Sequence, residues 1–229
     1  MSVKSWNESL PRYLDHTVLR PEATKADVLR LCAEAREQGF VVIFVPPCYV
    51  DEAVAAVAGT DVQVGIPIGF PLGGHSTHAK VTEAMEAVAH GARVLDMVIN
   101  ISRLKSGDYD VVRNDMAAVV QATPGVNHKV ILETCLLTRE EKITACRLAV
   151  EAGMDYVKTS TGFNQAGATV EDVRLMKEAV AGRAKVKASG GIRDWKTTRE
   201  LLEAGADRIG TSASLKILNE WRASLVAVR

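Results

Sequence analysis

Three short runs place charged side chains where a strand would otherwise be apolar. In "DYVKTSTGF" (155–163) an apolar stretch arrives at Lys158 and then breaks into Thr159, Ser160, Thr161 and Gly162. "KVKASGG" (185–191) carries Lys185 and Lys187, and "RVLDMVIN" (93–100) carries Asp96. Lysine and aspartate are among the residues least often fully buried. Side chains alternate faces along a strand. Leu95, Met97 and Ile99 therefore share one face, and Val94, Asp96 and Val98 the other. By the same count Val157 opposes Tyr156, Lys158 and Ser160, while Val186 and Ala188 oppose Lys185, Lys187 and Ser189.

If the charged faces look into one cavity, two ammonium groups and a carboxylate converge there. Burial and a neighbouring cation both lower a lysine pKa. A lysine brought toward neutrality is a free amine that attacks a carbonyl to form an imine. A second lysine that stays charged lowers the first one's pKa and relays protons. The aspartate balances charge and exchanges protons with the substrate, directly or through water. The pattern does not say which lysine attacks. The plainer reading is an ion network that fills the interior. Buried charge without function is costly, which favours chemistry.

The elements that must position these groups follow from the punctuation of the chain. Helical patterns end in glycine and a β-branched run follows at once, at Gly39, Gly91, Gly153 and Gly205. Glycine past a helix end supplies the left-handed residue that terminates it. The recurrence suggests repeated units, with room for two strand–helix steps in each interval. Eight strands are expected, at about 13–17, 40–45, 62–68, 93–99, 128–134, 155–160, 184–189 and 207–211. Between them, Val28, Leu31, Cys32 and Ala35 make one apolar helix face over 25–38. Thr138 with Glu141 reads as a capping box, and Thr24 with Asp27 and Thr169 with Asp172 as acidic variants. Eight strands alternating with helices predict the α/β class: a single (β/α)8 TIM barrel over 1–229 with a short N-terminal extension. An open doubly wound sheet is the alternative, but no Gly-rich dinucleotide turn follows the first strand.

Barrel active sites lie at the C-terminal ends of the strands, where Lys158 and Lys187 fall on neighbouring strands. The loops after strands seven and eight read "ASGGIRD" and "GTSASLK". In barrels this pair of loops commonly forms a phosphate site. Gly190, Gly191 and Gly210 let backbone N–H groups approach an anion, and Ser212 is placed to cap the next helix. Arg193 adds charge.

Composition bounds the rest. Of 229 residues 47% are hydrophobic and 24% charged, the profile of a soluble globular chain. The 28 basic residues balance the 28 acidic ones, which argues against a broad nucleic-acid surface. No apolar run approaches the ~20 residues of a membrane helix, and the first residues lack a secretory h-region. Cys32, Cys48, Cys135 and Cys146 form no CxxC pair, so a reducing cytoplasm is the expected location. Cys32 and Cys146 read as core residues, and Cys48 as a buried inert thiol.

"DHTVL", "PCYV", "GFPLG", "LDMVINI", "LKSGDYD", "ETCLLT", "YVKTSTGF", "GATVEDVRLM", "KASGGIR" and "RIGTSAS" together resemble the deoxyribose-phosphate aldolase family, from about residue 13 to 217. The resemblance implies a class I aldolase with no metal and no cofactor. Such an enzyme reversibly cleaves 2-deoxy-D-ribose 5-phosphate to D-glyceraldehyde 3-phosphate and acetaldehyde. It also implies roles: Lys158 forms the imine, Asp96 and Lys187 donate and accept protons. Thr161, Gly162, Gly190, Gly191, Arg193, Gly210, Thr211 and Ser212 surround the phosphorylated substrate. Asp15, Thr17 and Cys48 are expected at the mouth, and Glu133 in the inner charge network. The expected partner is a small phosphorylated sugar, with no nucleic acid and no membrane. By resemblance alone the assembly is a homodimer.

Some positions depart from the family pattern. "GHSTHAK" follows "GFPLG" where relatives often carry alanine, three threonines and a glutamate. His75 and His78 sit there without a third ligand, so a polar loop is favoured over a metal site. Pro46 also differs from many relatives, and the chain ends "WRASLVAVR", without the terminal tyrosine some relatives have. Two rival functions share the barrel: a phosphosugar isomerase that forms no imine, and a silent barrel that only binds phosphorylated ligands. Within the imine reading, the alternative is a related aldolase for another phosphorylated sugar.

Overall fold

A computed structural model of the chain describes residue 6 and residues 9–226. The eight expected strands form: β1 (Leu14–Thr17), β2 (Val42–Phe44), β3 (Gln63–Ile68), β4 (Val94–Val98), β5 (Asn127–Ile131), β6 (Tyr156–Lys158), β7 (Lys185–Ser189) and β8 (Arg208–Thr211). They pair in parallel in chain order, and β8 closes on β1. This is a (β/α)8 barrel. β2 and β4 end one residue before the expected bound, and two others end earlier still. Glu133 takes a left-handed backbone (φ 57°) and opens a short 3-10 turn, so β5 stops at Ile131 instead of 134. β6 stops at Lys158, although Leu132 still donates to the Lys158 carbonyl and Thr134 to that of Thr159 just beyond it.

Helices α1 (Lys25–Gln38), α2 (Val50–Val57), α3 (Thr77–Ala89), α4 (Ile101–Lys105), α5 (Tyr109–Ala122), α6 (Arg139–Glu151), α7 (Val170–Val180), α8 (Trp195–Glu203) and α9 (Ser214–Val226) connect the strands. Thr24 with Asp27 and Thr138 with Glu141 close complete capping boxes at the starts of α1 and α6. At α7 Thr169 accepts from the Asp172 N–H, but the Asp172 carboxylate is taken by Lys142 at 2.6 Å. Gly39, Gly91, Gly153 and Gly205 all adopt positive φ just past a helix.

The strand faces divide as alternation predicts. Leu95, Met97, Ile99, Val157, Val186 and Ala188 join the main core between barrel and helices. Val42, Phe44 and Val94 form a separate small cluster. One buried ion pair pins the site from outside the barrel. Lys80 on α3 donates to Asp115 on α5 at 2.6 Å and to the Val98 carbonyl at the end of β4 at 3.0 Å. The N-terminal extension is tied down where it is described: Trp6 meets Trp195 edge-on at 5.7 Å, and Leu10 is buried. Cys32 and Cys146 are core residues, and burial pushes their thiols up to about 11 and about 12.

Candidate active site

Every strand contributes one residue to a charged box inside the barrel. β4 supplies Asp96, fully buried, whose Oδ2 accepts from Lys158 of β6 at 2.8 Å and Lys187 of β7 at 2.7 Å. Its Oδ1 stands 3.5 Å from the Nζ of Lys129 on β5. β1 supplies Asp15, whose Oδ2 is 2.6 Å from Lys187 and whose Oδ1 accepts from Arg208 of β8. β2 supplies Phe44, with the Lys187 ammonium 3.9 Å from its ring centroid. Lys158 and Lys129 each stand 5.5 Å from the same ring. β3 supplies Gly65, where a Cβ would come within 2.6 Å of that ring.

Burial brings Lys158 down to about 8, with Asp96 opposing and Lys187 reinforcing the shift. Lys129 falls to about 8 for the same reasons. Burial alone would raise the two carboxyls. The ammonium groups of Lys158, Lys187 and Lys129 overcome it and hold Asp96 well below the usual carboxylate range. Arg208 and Lys187 do the same for Asp15, which falls to about 2. The box thus offers two firm carboxylates and two amines that lose their protons near pH 8, well below an ordinary lysine.

A cavity of about 650 Å³ opens above the box, and Lys158 is the box member that lines it. Thr17, Thr161, Gly162, Gly190, Gly191, Arg193, Gly210, Thr211 and Ser212 line it as well. The hydroxyls that follow Lys158 fix this rim. Thr159 Oγ1 donates to the Ser189 carbonyl at 2.9 Å and accepts from the Ser189 N–H at 3.0 Å, which locks the end of β6 to β7. The Thr161 N–H and hydroxyl donate to the Glu133 carboxylate. Gly190 (φ 87°) packs so closely on Gly167 that a Cβ would sit 3.0 Å from the Gly167 Cα.

The model for the DeoC/LacD family of aldolases matches residues 11–220. The chain belongs to that family. It is 52% identical over 216 residues to a deoxyribose-phosphate aldolase of Thermoanaerobacter sp. (strain X514), covering 93% of this chain and 97% of the relative. It is 51% identical over 210 residues to the enzyme of that name from Brevibacillus brevis, covering 92% and 95%. Among solved structures, the aldolase QR15 superposes with a TM-score of 0.92 at 42% identity, over 96% of this chain and 99% of that one. The deoxyribose phosphate aldolase of Aeropyrum pernix, a tetramer, superposes with a TM-score of 0.89 at 32% identity, over 96% and 94%.

Several positions of this aldolase differ from expectation. Asp15 is not at the mouth: its alternation with His16 turns it inward, where Lys187 and Arg208 hold it. His16 turns outward to Glu34 of α1 at 2.7 Å. Cys48 is exposed and does not line the cavity: β2 ends at Phe44, and none of the residues of the 3-10 turn Pro47–Tyr49 that follows is buried, so it is not a buried thiol. Ser212 does not cap α9. That helix opens at Ser214, and Ala213 takes the cap position, its carbonyl accepting from Ile217. Gly210 belongs to β8, where its missing side chain makes room for Lys187: a Cβ would meet the lysine Cε at 2.9 Å. Glu133 stays out of the lysine box and anchors Thr161. His75 and His78 are exposed, and no group of three or more His, Cys, Asp or Glu could hold a metal among the described residues.

Lys129, Arg208 and Phe44 were missed as box members. The signal for Lys129 was present, a lysine inside the apolar run "HKVIL". Arg208 is the first residue of β8 and reads as an exposed strand end. Phe44 looks like ordinary core until its neighbours are known.

Proposed function

We propose that this chain is a deoxyribose-phosphate aldolase acting through an imine on Lys158. It reversibly cleaves 2-deoxy-D-ribose 5-phosphate to D-glyceraldehyde 3-phosphate and acetaldehyde. The observation that carries the residue assignment is access: three lysines are buried in the box, and Lys158 is the one lining the cavity.

The neutral Lys158 amine adds to the aldehyde carbon, and loss of water leaves a protonated imine. The imine draws the electron pair of the C2–C3 bond toward nitrogen as that bond breaks. The C3 hydroxyl gives up its proton and becomes the aldehyde of glyceraldehyde 3-phosphate. An enamine of acetaldehyde stays on Lys158, takes a proton at C2, and is released by hydrolysis. Lys187 and Asp96, bonded to each other beside the amine, supply and collect these protons. The phosphate is read by the glycine-rich turns at Gly190–Gly191 and by Ser212, with Gly162, Thr161 and the Arg193 charge beside them. An isomerase would need a carboxylate or histidine base. The carboxylates of the box, Asp15 and Asp96, are fully buried and do not line the cavity, so neither is placed to take a proton from carbon directly.

A homodimer and a cytoplasmic location belong to the same reading. The resemblance supports the first, and four free cysteines support the second. No helix among the described residues is long and apolar enough to cross a membrane.

Incubation with 2-deoxyribose 5-phosphate followed by borohydride tests the reading. Intact mass and peptide mapping are expected to find a reduced adduct on Lys158. Lys158→Arg is expected to fold and to form neither adduct nor product. Wild-type turnover by that variant would remove the assignment.

A further inference from the structure

The box holds four cationic side chains, Lys129, Lys158, Lys187 and Arg208, against two carboxylates, Asp15 and Asp96. The excess can be relieved by proton loss from two amines. Imine chemistry needs that loss to fall on the lysine at the cavity, not on the helper beside it. Lys187 differs from the others in two ways. It reaches both carboxylates, at 2.7 Å and 2.6 Å, and its ammonium sits 3.9 Å from the Phe44 ring centroid. An aromatic face carries negative charge density that attracts a cation, and the attraction is strongest where water is excluded. It falls steeply with distance, so Lys158 and Lys129 at 5.5 Å feel much less of it. Tyr156 presents a second ring, to Lys129 at 5.3 Å. A glycine at 65 is what admits the Phe44 ring at this place.

We propose that Phe44 is a positioning residue for the aldolase reaction: its ring face, admitted by Gly65, keeps Lys187 the charged lysine, so that Lys158 is the one left free to attack. This inference rests on the aldolase reading for its consequence, but not for its test. A ring can hold a cation without adding a formal charge to the box.

The test replaces Phe44 with phenylalanine carrying one and then two ortho fluorines, placed away from Gly65, and with leucine (Phe44→Leu). Fluorine drains charge from the ring face while keeping the shape of the ring. Two readouts are taken. One follows the Lys187 ammonium by NMR in protein labelled with nitrogen-15 at the lysine side chain. The other is the pH profile of kcat/KM. Along the series the Lys187 ammonium is expected to release its proton at progressively lower pH, by about one pH unit for leucine. The basic limb of the profile is expected to move with it, and the acidic limb by less. Packing alone would not move these midpoints between the isosteric rings. A Lys187 midpoint that stays fixed along the fluorinated series, or limbs that move equally, would overturn the proposal while wild-type turnover still supported the aldolase. A midpoint that falls in a protein with no wild-type turnover would uphold the charge-holding role and remove the aldolase reading.

Discussion

Asp96 sits where three lysine side chains converge, and one of its oxygens already serves two of them. Asn at that position keeps the shape and removes the charge. Four cations would then face Asp15 alone, and removing one partner from a buried network leaves uncompensated charge. Asp96→Asn is therefore expected to lower stability by roughly 3–5 kcal/mol, read as a lower Tm by circular dichroism. On the proposed mechanism it also removes a proton carrier, so kcat is expected to drop by about a hundredfold or more in protein that is still folded at the assay temperature. Wild-type kcat in folded Asp96→Asn would show that the carboxylate plays no part in proton transfer.

The strands decide which of these groups meet, and that much was legible in the chain. Alternation placed Asp96, Lys158 and Lys187 on inward faces, and the structure brings them within 2.8 Å of one another through Asp96. Helix-ending glycines and capping pairs located the elements because those signals are local. What was not legible depended on how far across the barrel a residue reaches. Gly210 reads as a turn glycine, yet it is a strand residue whose empty side lets Lys187 lie flat toward Asp96 and Asp15. Gly65 and Phe44 are a matched pair across β2 and β3, and no spacing rule links them. Gly210→Ala tests this element-scale point. Its Cβ would meet the Lys187 Cε at 2.9 Å and the Ser189 Cβ at 3.1 Å, and the lysine end can swing away. The backbone there needs no glycine conformation, so Tm is expected to shift by only a few degrees. The displaced ammonium loses its contacts with both carboxylates, so kcat is expected to fall about tenfold or more with KM less affected. Unchanged kcat would mean that the seat of Lys187 is not critical.

At the scale of the whole molecule, the box exacts a cost in stability that depends on pH. Lys129 has its ammonium held at about 8 against an ordinary 10.5. A folded value below the unfolded one means that the unfolded chain binds more protons between those two pH values. The contribution of Lys129 to stability is therefore most unfavourable below about pH 8, and it recovers as pH rises toward 10.5. The full penalty is on the order of 3 kcal/mol, at 1.36 kcal/mol per unit. Lys129→Met removes the charge but keeps most of the length, and it leaves three cations facing two carboxylates. Removing a cation from a box with too many relieves repulsion instead of stranding a charge. The variant is thus expected to unfold at higher temperature than the wild type at pH 7, with the difference shrinking steadily by pH 10. Opposing shifts elsewhere, such as Cys32 and Cys146 raised to about 11 and about 12, act on both proteins and cancel in the comparison. Paired thermal melts from pH 6 to 10 read the difference directly. A variant less stable at every pH would mean that Lys129 is needed to balance Asp96, and that the box is not overcharged. A stabilised variant with slowed turnover would show that this barrel carries its third lysine for the reaction, at the expense of the fold.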